Sequence, residues 1–434
     1  MQVLIIGLVW PEPCSSAAGG RMLGLIESFC LAGWQVAFAS PAQATERQAD
    51  LASLGVACRA IALNSDCFDA FVAETQPDIV VFDRFMVEEQ FGWRVAAACP
   101  AALRVLDTED LHSLRKARQI ALQAGLKNAS SQPSRDAAVA RLLAAAPFSL
   151  FKQMAAEEIT LREVASIQRC DLTLMISDIE VALLVELFNI PPGKLHYCPF
   201  MLTASEVSLP AFDQRRHFIS IGNFRHAPNW DAVLWLRERL WPSIRAALPE
   251  AELHVYGAYP PPKATALHSH RDGFLVKGWA ADAHAVLARS RVCLAPLRFG
   301  AGIKGKLADA MTAGTPSVTT PIGAEGMAAV GLSWPGAVAG QAAEFVAEAV
   351  ALYRDPGRWR QAQCDGAILL SQRFSALDHR PKLIDKIQQS HQHLQEIRTA
   401  DFTGAMMRHH FHQSTRYMSK WIETKARLRE AMGE

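Results

Sequence analysis

Positions 2–9 are apolar and β-branched without a polar break, the pattern of a strand covered on both faces. A turn-rich stretch at 11–20 follows, then a helical period over 21–32. Gly33 closes that helix as a residue free to turn left-handed beyond its end. A second apolar run occupies 34–40, and further strands are predicted at 78–82 and 103–106 with a helix at 87–98 between them. This alternation is βαβ rhythm, which builds a parallel sheet with helices on both faces.

From 112 to 169 the rhythm gives way to a long helical insertion, where the polar stretch 127–135 with Pro133 predicts a mobile loop between two helical pieces. A strand at 171–176, a helix at 180–188 with Asp178 as its N-cap, and a strand at 196–199 complete a first domain over 1–200. Residues 201–216 have no period and carry Pro210, the features of a linker. Strands then recur at 217–221, 253–256, 274–276, 291–297 and 317–320, a rigid loop at 259–262, and helices at 230–240, 282–290, 306–313, 342–353 and 356–370. They define a second domain over 217–375. The expected fold is α/β, two Rossmann-like domains whose parallel sheets bind ligands at the carboxyl ends of their strands.

The remainder, 376–434, is more polar and holds six of the fourteen histidines. Phe402, Met406, Tyr417, Trp421 and Ile422 punctuate it, which predicts helices packing an apolar stripe back onto the first domain and tying the domains together. Ten Lys and Arg against seven Asp and Glu from residue 377 onward argue against a polybasic membrane anchor, so membrane association is expected to be at most peripheral. The same balance marks the whole chain, with a net charge of +1 in 434 residues, 50% hydrophobic. That excludes intrinsic disorder and the basic footprint of a nucleic-acid binder. No apolar run approaches the ~20 residues of a membrane span, and the start lacks a charged leader. Nine scattered cysteines, none in a C-x-x-C pair, predict reduced thiols of a cytoplasmic protein.

The strongest chemical signal is Ala295-Pro-Leu-Arg-Phe-Gly-Ala-Gly-Ile-Lys-Gly-Lys-Leu-Ala-Asp-Ala-Met-Thr-Ala-Gly-Thr-Pro316. A strand enters a glycine-rich loop that opens a helix, so free amides and Lys304 and Lys306 could meet a diphosphate. The spacing from Gly300 to Lys306 nearly matches a P-loop. Leu307, however, stands where the magnesium-binding hydroxyl belongs, which argues against a nucleoside triphosphatase.

This stretch, continued by Thr320-Pro-Ile-Gly-Ala-Glu-Gly326 and preceded by Ser220-Ile-Gly-Asn-Phe-Arg-His-Ala-Pro-Asn-Trp-Asp231, resembles the donor-binding half of family 4-like glycosyltransferases of the bacterial polysaccharide type. The resemblance covers most of 218–327 and implies the GT-B fold, with the two sheets facing a central cleft. It implies a nucleotide-diphospho-sugar as co-substrate, with no other cofactor, and retention at the transferred carbon. Arg225 and Lys306 would meet the departing diphosphate, with Gly222, Asn223, Lys304, Glu325 and the amides of Ala301, Gly302 and Ile303 around the donor. Asp309 matches the glutamate that reads the ribose, one methylene shorter. The partner glutamate falls on Ala301, and Asn223 replaces a usual basic residue.

In the first domain, Gly19 and Gly20 within Ser15–Arg21 correspond to a glycine-rich loop facing the donor. His112, within the segment 106–115, corresponds to the histidine that positions the sugar. The chain contains no Asp-x-Asp, so no metal–diphosphate site is expected, and charge would be met by Lys, Arg and helix dipoles. Neither a G-x-S-x-G elbow nor a G-x-G-x-x-G after the first strand is present. Adjacent histidines in 408–412 point in different directions on a helix and read as a solvated face. The acceptor (glycan, lipid-linked, protein or small molecule) stays open. An inactive nucleotide-sugar-binding module and a GT-B epimerase or phosphorylase are the alternatives.

Overall fold

The computed structural model describes residues 1–203, 209–329 and 331–432, so the centre of the predicted linker lies outside the described residues. The first sheet comprises β1 (Gln2–Ile6), β2 (Gln35–Ser40), β3 (Ala57–Ala60), β4 (Ile79–Asp83), β5 (Leu103–Asp107), β6 (Leu172–Met175) and β7 (Leu195–Tyr197), ordered β3-β2-β1-β4-β5-β6-β7. The second comprises β8 (Arg216–Ile221), β9 (Leu253–Tyr256), β10 (Phe274–Gly278), β11 (Ser290–Ala295), β12 (Ser317–Thr319) and β13 (Gly336–Val338), ordered β10-β9-β8-β11-β12-β13. Every neighbouring pair of strands is parallel. Each sheet therefore reverses its order beside its first strand, which opens a crevice there.

β1 shows why its residues make this strand. Val3 and Ile5 enter one hydrophobic cluster and Leu4 and Ile6 the other, so the strand buries both faces at period two. Each such burial is worth about 1.5–3 kcal/mol. β3 and β13 carry no such run and are absent from the predicted elements. All four residues of β3 are exposed, at the edge of the sheet.

The insertion differs from expectation. Helices His112–Lys127 and Gln132–Ala144 are separated only by 128–131, in place of the predicted loop at 127–135. Ser131 caps the second helix, and Pro133 sits in its first turn, where a missing N–H leaves no intrahelical bond unmade. Leu122, Val139, Leu142 and Leu143 of these helices join the hydrophobic cluster of the second domain, and Arg239 pairs with Asp136 at 2.7 Å. Asp178 is the first helical residue and Ser177 the N-cap; Asp178 instead sits where the helix dipole favours an anion and pairs with Arg373 at 2.8 Å. The rigid loop at 259–262 runs into a short helix, Pro262–Thr265.

The C-terminal extension forms helices Ala376–Gln392, Leu394–Ala400 and Phe402–Met432. Leu383, Ile387 and Leu394 enter the first domain's core. Arg398 clamps Asp171 through Nε at 3.0 Å and Nη2 at 2.8 Å and also donates to the Ala102 carbonyl. The predicted apolar stripe is a correction. Phe402 and Tyr417 are 73% exposed and Trp421 63%, with Met406 and Ile422 also outward. A polar face seats the last helix instead, because Arg94 and Arg169 of the first domain offer it hydrogen bonds and a cation–π contact. Among the described residues no helix is long and apolar enough to cross a membrane.

Asp171 is buried between Arg104 and Arg398. Asp171→Ala leaves two arginines without their carboxylate and should cost about 3–5 kcal/mol in urea unfolding. An unchanged midpoint would show that the clamp is not a source of stability.

Candidate active site

Loops at the carboxyl ends of both sheets meet face to face. After β1, Ser15 accepts a hydrogen bond from Asn223, which follows β8, and Cys14 accepts one from Trp279, which follows β10. After β5, Asp110 lies so near Gly302 that a Cβ there would sit 2.8 Å from the Asp110 Cβ; Gly302 is also left-handed, with φ of 63°. Gly305 abuts Ala17 in the same way.

Between these loops is a cavity of about 300 Å³, lined by His112, Arg115 and Lys116 of the first domain and Arg225, His226 and Phe299 of the second. Among the described residues no carboxylate lines it. His112, Arg115 and Lys116 share one face of a helix because they stand at i, i+3 and i+4. The helix start is fixed by Glu163, whose carboxylate accepts from the His112 and Ser113 amides at 2.8 and 3.0 Å. The His112 ring lies edge-on to Phe85, and its Nε2 is 3.4 Å from Asp110. Burial pushes its pKa down to about 4 despite Asp110, so the ring is neutral at neutral pH. Burial works the other way on Asp110, but Arg115 and His112 overcome it and hold the carboxylate well below its usual range.

Across the cavity the Arg225 guanidinium stacks 3.7 Å from the Tyr259 ring centre, and the Tyr259 hydroxyl donates to Glu12 at 2.9 Å. Lys306 donates to Asn229 at 2.7 Å, and Asn229 donates to the Asn223 carbonyl at 2.9 Å. Gly222 leaves room for this lysine: a Cβ there would sit 2.8 Å from Nζ. Burial lowers Lys306 to about 8, which leaves it largely charged at neutral pH.

The loop 300–304 is plugged into the first domain. Ala301 packs with Leu111, Leu114 and Leu183, and Ile303 with Ile176 and Phe200. The Gly302 N–H donates to Glu180 Oε1 at 2.6 Å. Arg118 grips Glu325 bidentately at 2.9 and 2.6 Å and donates to the Gly300 carbonyl at 2.8 Å. The buried Lys304 ammonium donates to the Gly302 carbonyl.

Residues 215–355 match the family Glycosyl transferases group 1. The GT-B fold extends over nearly the whole chain. Sucrose-phosphate synthase from Thermosynechococcus elongatus superposes with a TM-score of 0.61 at 13% identity, covering 90% of this chain and 98% of that one. Anabaena HepE in complex with UDP and glucose gives 0.60 at 11%, covering 89% and 99%. The lipopolysaccharide outer core galactosyltransferase WaaB gives 0.55 at 13%, covering 90% and 100%. The chain has the GT-B fold. No curated protein sequence matches it.

Within this fold the structure gathers His112 and Arg225 at one cavity, with Gly222, Asn223 and Lys306 beside it. It does not bring the other predicted residues there. Gly19 and Gly20 form the first turn of helix Ala17–Leu31 and not a loop; Gly19 packs against the Glu12 backbone, and Gly20 faces open space. Ala301, Gly302, Ile303, Lys304 and Glu325 are engaged at the domain interface, because Arg118 and Glu180 supply the charges they would offer a ligand. Asp309 is half exposed and faces His284 at 3.5 Å.

Arg115 and Lys116 were missed, although their spacing from His112 was a usable signal. Arg118 and Glu180 gave none, since their roles exist only once the domains meet. Away from the cleft, His217, Glu252 and His254 gather at the amino ends of β8 and β9. There the Glu252 amide donates to His217 Nδ1, leaving the ring proton on the other nitrogen. A concavity of about 740 Å³ lined by Arg237, Trp241, Arg245 and Arg271 also lies outside the cleft.

Burial, reinforced by Asp110, raises the Glu180 carboxyl from 4.5 to about 8. Over that interval the folded protein holds a proton that the unfolded chain has released. This contribution to stability is full below 4.5 and is lost as pH rises through about 8. Glu180→Gln cannot titrate, so its melting temperature should decline less than wild type between neutral pH and pH 9. Parallel declines would remove Glu180 from the interface's proton balance.

Proposed function

We propose that the interdomain cavity receives the diphosphate of a nucleotide-diphospho-sugar and that the chain transfers the sugar to an acceptor held on the first domain. One observation carries this reading: a cavity at the carboxyl ends of two parallel sheets, lined by Arg115, Lys116 and Arg225 with no carboxylate, and with Lys306 adjacent. The UDP-glucose named with a second HepE structure supports a sugar nucleotide as the anion.

When the bond between sugar and diphosphate breaks, negative charge grows on the leaving oxygen. Arg225 and Lys306 neutralise it from the second domain and Arg115 from the first. Their contacts are strong because the cleft is partly dry and the donors are already in place. Neutral His112 offers a hydrogen bond to the sugar without adding charge. Asp309, open to solvent on its helix, would accept from a ribose hydroxyl. The acceptor oxygen attacks from the face the nucleotide leaves, so configuration is retained, and no metal takes part. This extends the family 4-like resemblance, and nine unpaired cysteines support a cytoplasmic setting.

The test is nucleotide release from a panel of UDP-, GDP-, ADP- and dTDP-sugars with candidate acceptors. Arg225→Ala and Lys306→Ala should each lower kcat/KM about 10²–10³-fold, and EDTA should change nothing. His112→Ala should lower kcat while nucleotide affinity stays near wild type. Binding without turnover would favour an inactive nucleotide-sugar module, and dependence on free phosphate a phosphorylase.

A further inference from the structure

The terminal helix Phe402–Met432 is amphipathic in the inverse sense. It seats on the first domain by small and polar positions. Gly404 lies against the Gln168 carbonyl, which a Cβ would approach to 2.5 Å; Arg408 donates to the Arg169 carbonyl at 3.1 Å; and Ser419 accepts from Arg94 at 2.9 Å. Glu423 is buried against the domain, within reach of Lys420 at 3.0 Å.

The opposite face has no partner among the described residues. Phe402, Met406, Tyr417, Trp421 and Leu428 are all exposed and, at 3.6 residues per turn, fall within about 100° of arc. Met407, Met418 and Met432 are exposed too and widen the stripe. Cations border it: Arg416 on one side, with Lys420 and Arg427 there also paired to Asp69 and Asp66, and Lys425 and Arg429 on the other, with the Lys425 ammonium over the Trp421 ring at 5.0 Å. Over the whole helix six Lys and Arg stand against two Glu, of which Glu423 is turned inward. The near-even charge of the extension thus conceals a strongly basic helix, because four of its seven acids, Asp378, Asp385, Glu396 and Asp401, precede that helix.

We propose that this face docks on the surface of an anionic lipid bilayer, with the rings and methionines at the acyl boundary and the bordering cations on the headgroups. A stripe of Trp, Tyr, Phe, Met and Leu between Lys and Arg is what an interfacial helix needs. Charge selects the bilayer over a second copy of the chain. Two such helices face to face would oppose cationic borders of like sign, whereas an anionic surface neutralises them.

The docked end also lies beside the cleft's edge. Ser419 donates to Asn64, and Arg427 pairs with Asp66, both just beyond the carboxyl end of β3. A bilayer on this face would lie along the domain that takes the acceptor.

The test is co-sedimentation of the full chain with phosphatidylglycerol/phosphatidylcholine vesicles and with phosphatidylcholine alone. At least tenfold stronger binding to the anionic vesicles is expected, weakened by salt. Met418→Glu/Trp421→Glu should abolish it while leaving the melting temperature and nucleotide release unchanged, since neither side chain packs on the domain. Lys425→Glu/Arg429→Glu should weaken it in proportion to the lost charge. Equal binding to both vesicle types, no binding, or binding indifferent to these variants would overturn the proposal. So would a concentration-dependent dimer that the Met418→Glu/Trp421→Glu variant dissociates.

Discussion

Arg118 is almost wholly buried, and both its partners belong to the other domain: the Glu325 carboxylate and the Gly300 carbonyl. A charged pair in that position is held by geometry, since its desolvation cost is offset only while every donor is satisfied. The rest of the cleft depends on it. With Glu325 and Gly300 gripped, the loop 300–304 stays inside the first domain, and the helix Gly305–Thr312 begins with Lys306 facing Asn229. Leu122, Val139, Leu142 and Leu143 add apolar contact from the same insertion, so the segment that interrupts the first domain's rhythm is what joins the two domains.

Electrostatically the arrangement separates two zones. In the interface the polar groups satisfy one another: Arg118 pairs with Glu325, and the Gly302 amide donates to Glu180. In the cavity, Arg115, Lys116 and Arg225 line the wall with no lining acid, and Asp110 beneath is already committed to Arg115 and His112. An anion entering there meets the positive charge of Lys116 and Arg225, for which the described residues supply no carboxylate, in a site that needs little rearrangement, which is the condition for stabilising a leaving group.

The architecture was legible because its strands announce themselves. β1 and β4 are unbroken apolar runs, and such runs at this spacing leave little but a parallel sheet. β3 was silent because an exposed edge of Ala, Cys, Arg and Ala has no face to pattern. For the site, local chemistry singled out Arg225, His112 and Lys306, which the structure places at or beside one cavity. It gave no sign that Glu180 meets Gly302 and Arg118 meets Glu325, because a free amide or carboxylate in sequence looks the same whatever its partner. The tail failed for a related reason. An apolar stripe signals burial only if the helix has no better surface to offer, and here Ser419, Glu423 and Arg408 form that surface.

The central claim is that the anion site lies between the domains and that the loop 300–304 forms its closed wall. Amide hydrogen exchange with and without a nucleoside diphosphate tests it most directly. The account predicts slow exchange at 300–305 in the free protein and new protection on binding at 112–119 and 222–229, on both sides of the cavity. Fast exchange at 300–305, or protection confined to 237–249 on the outer concavity, would contradict it.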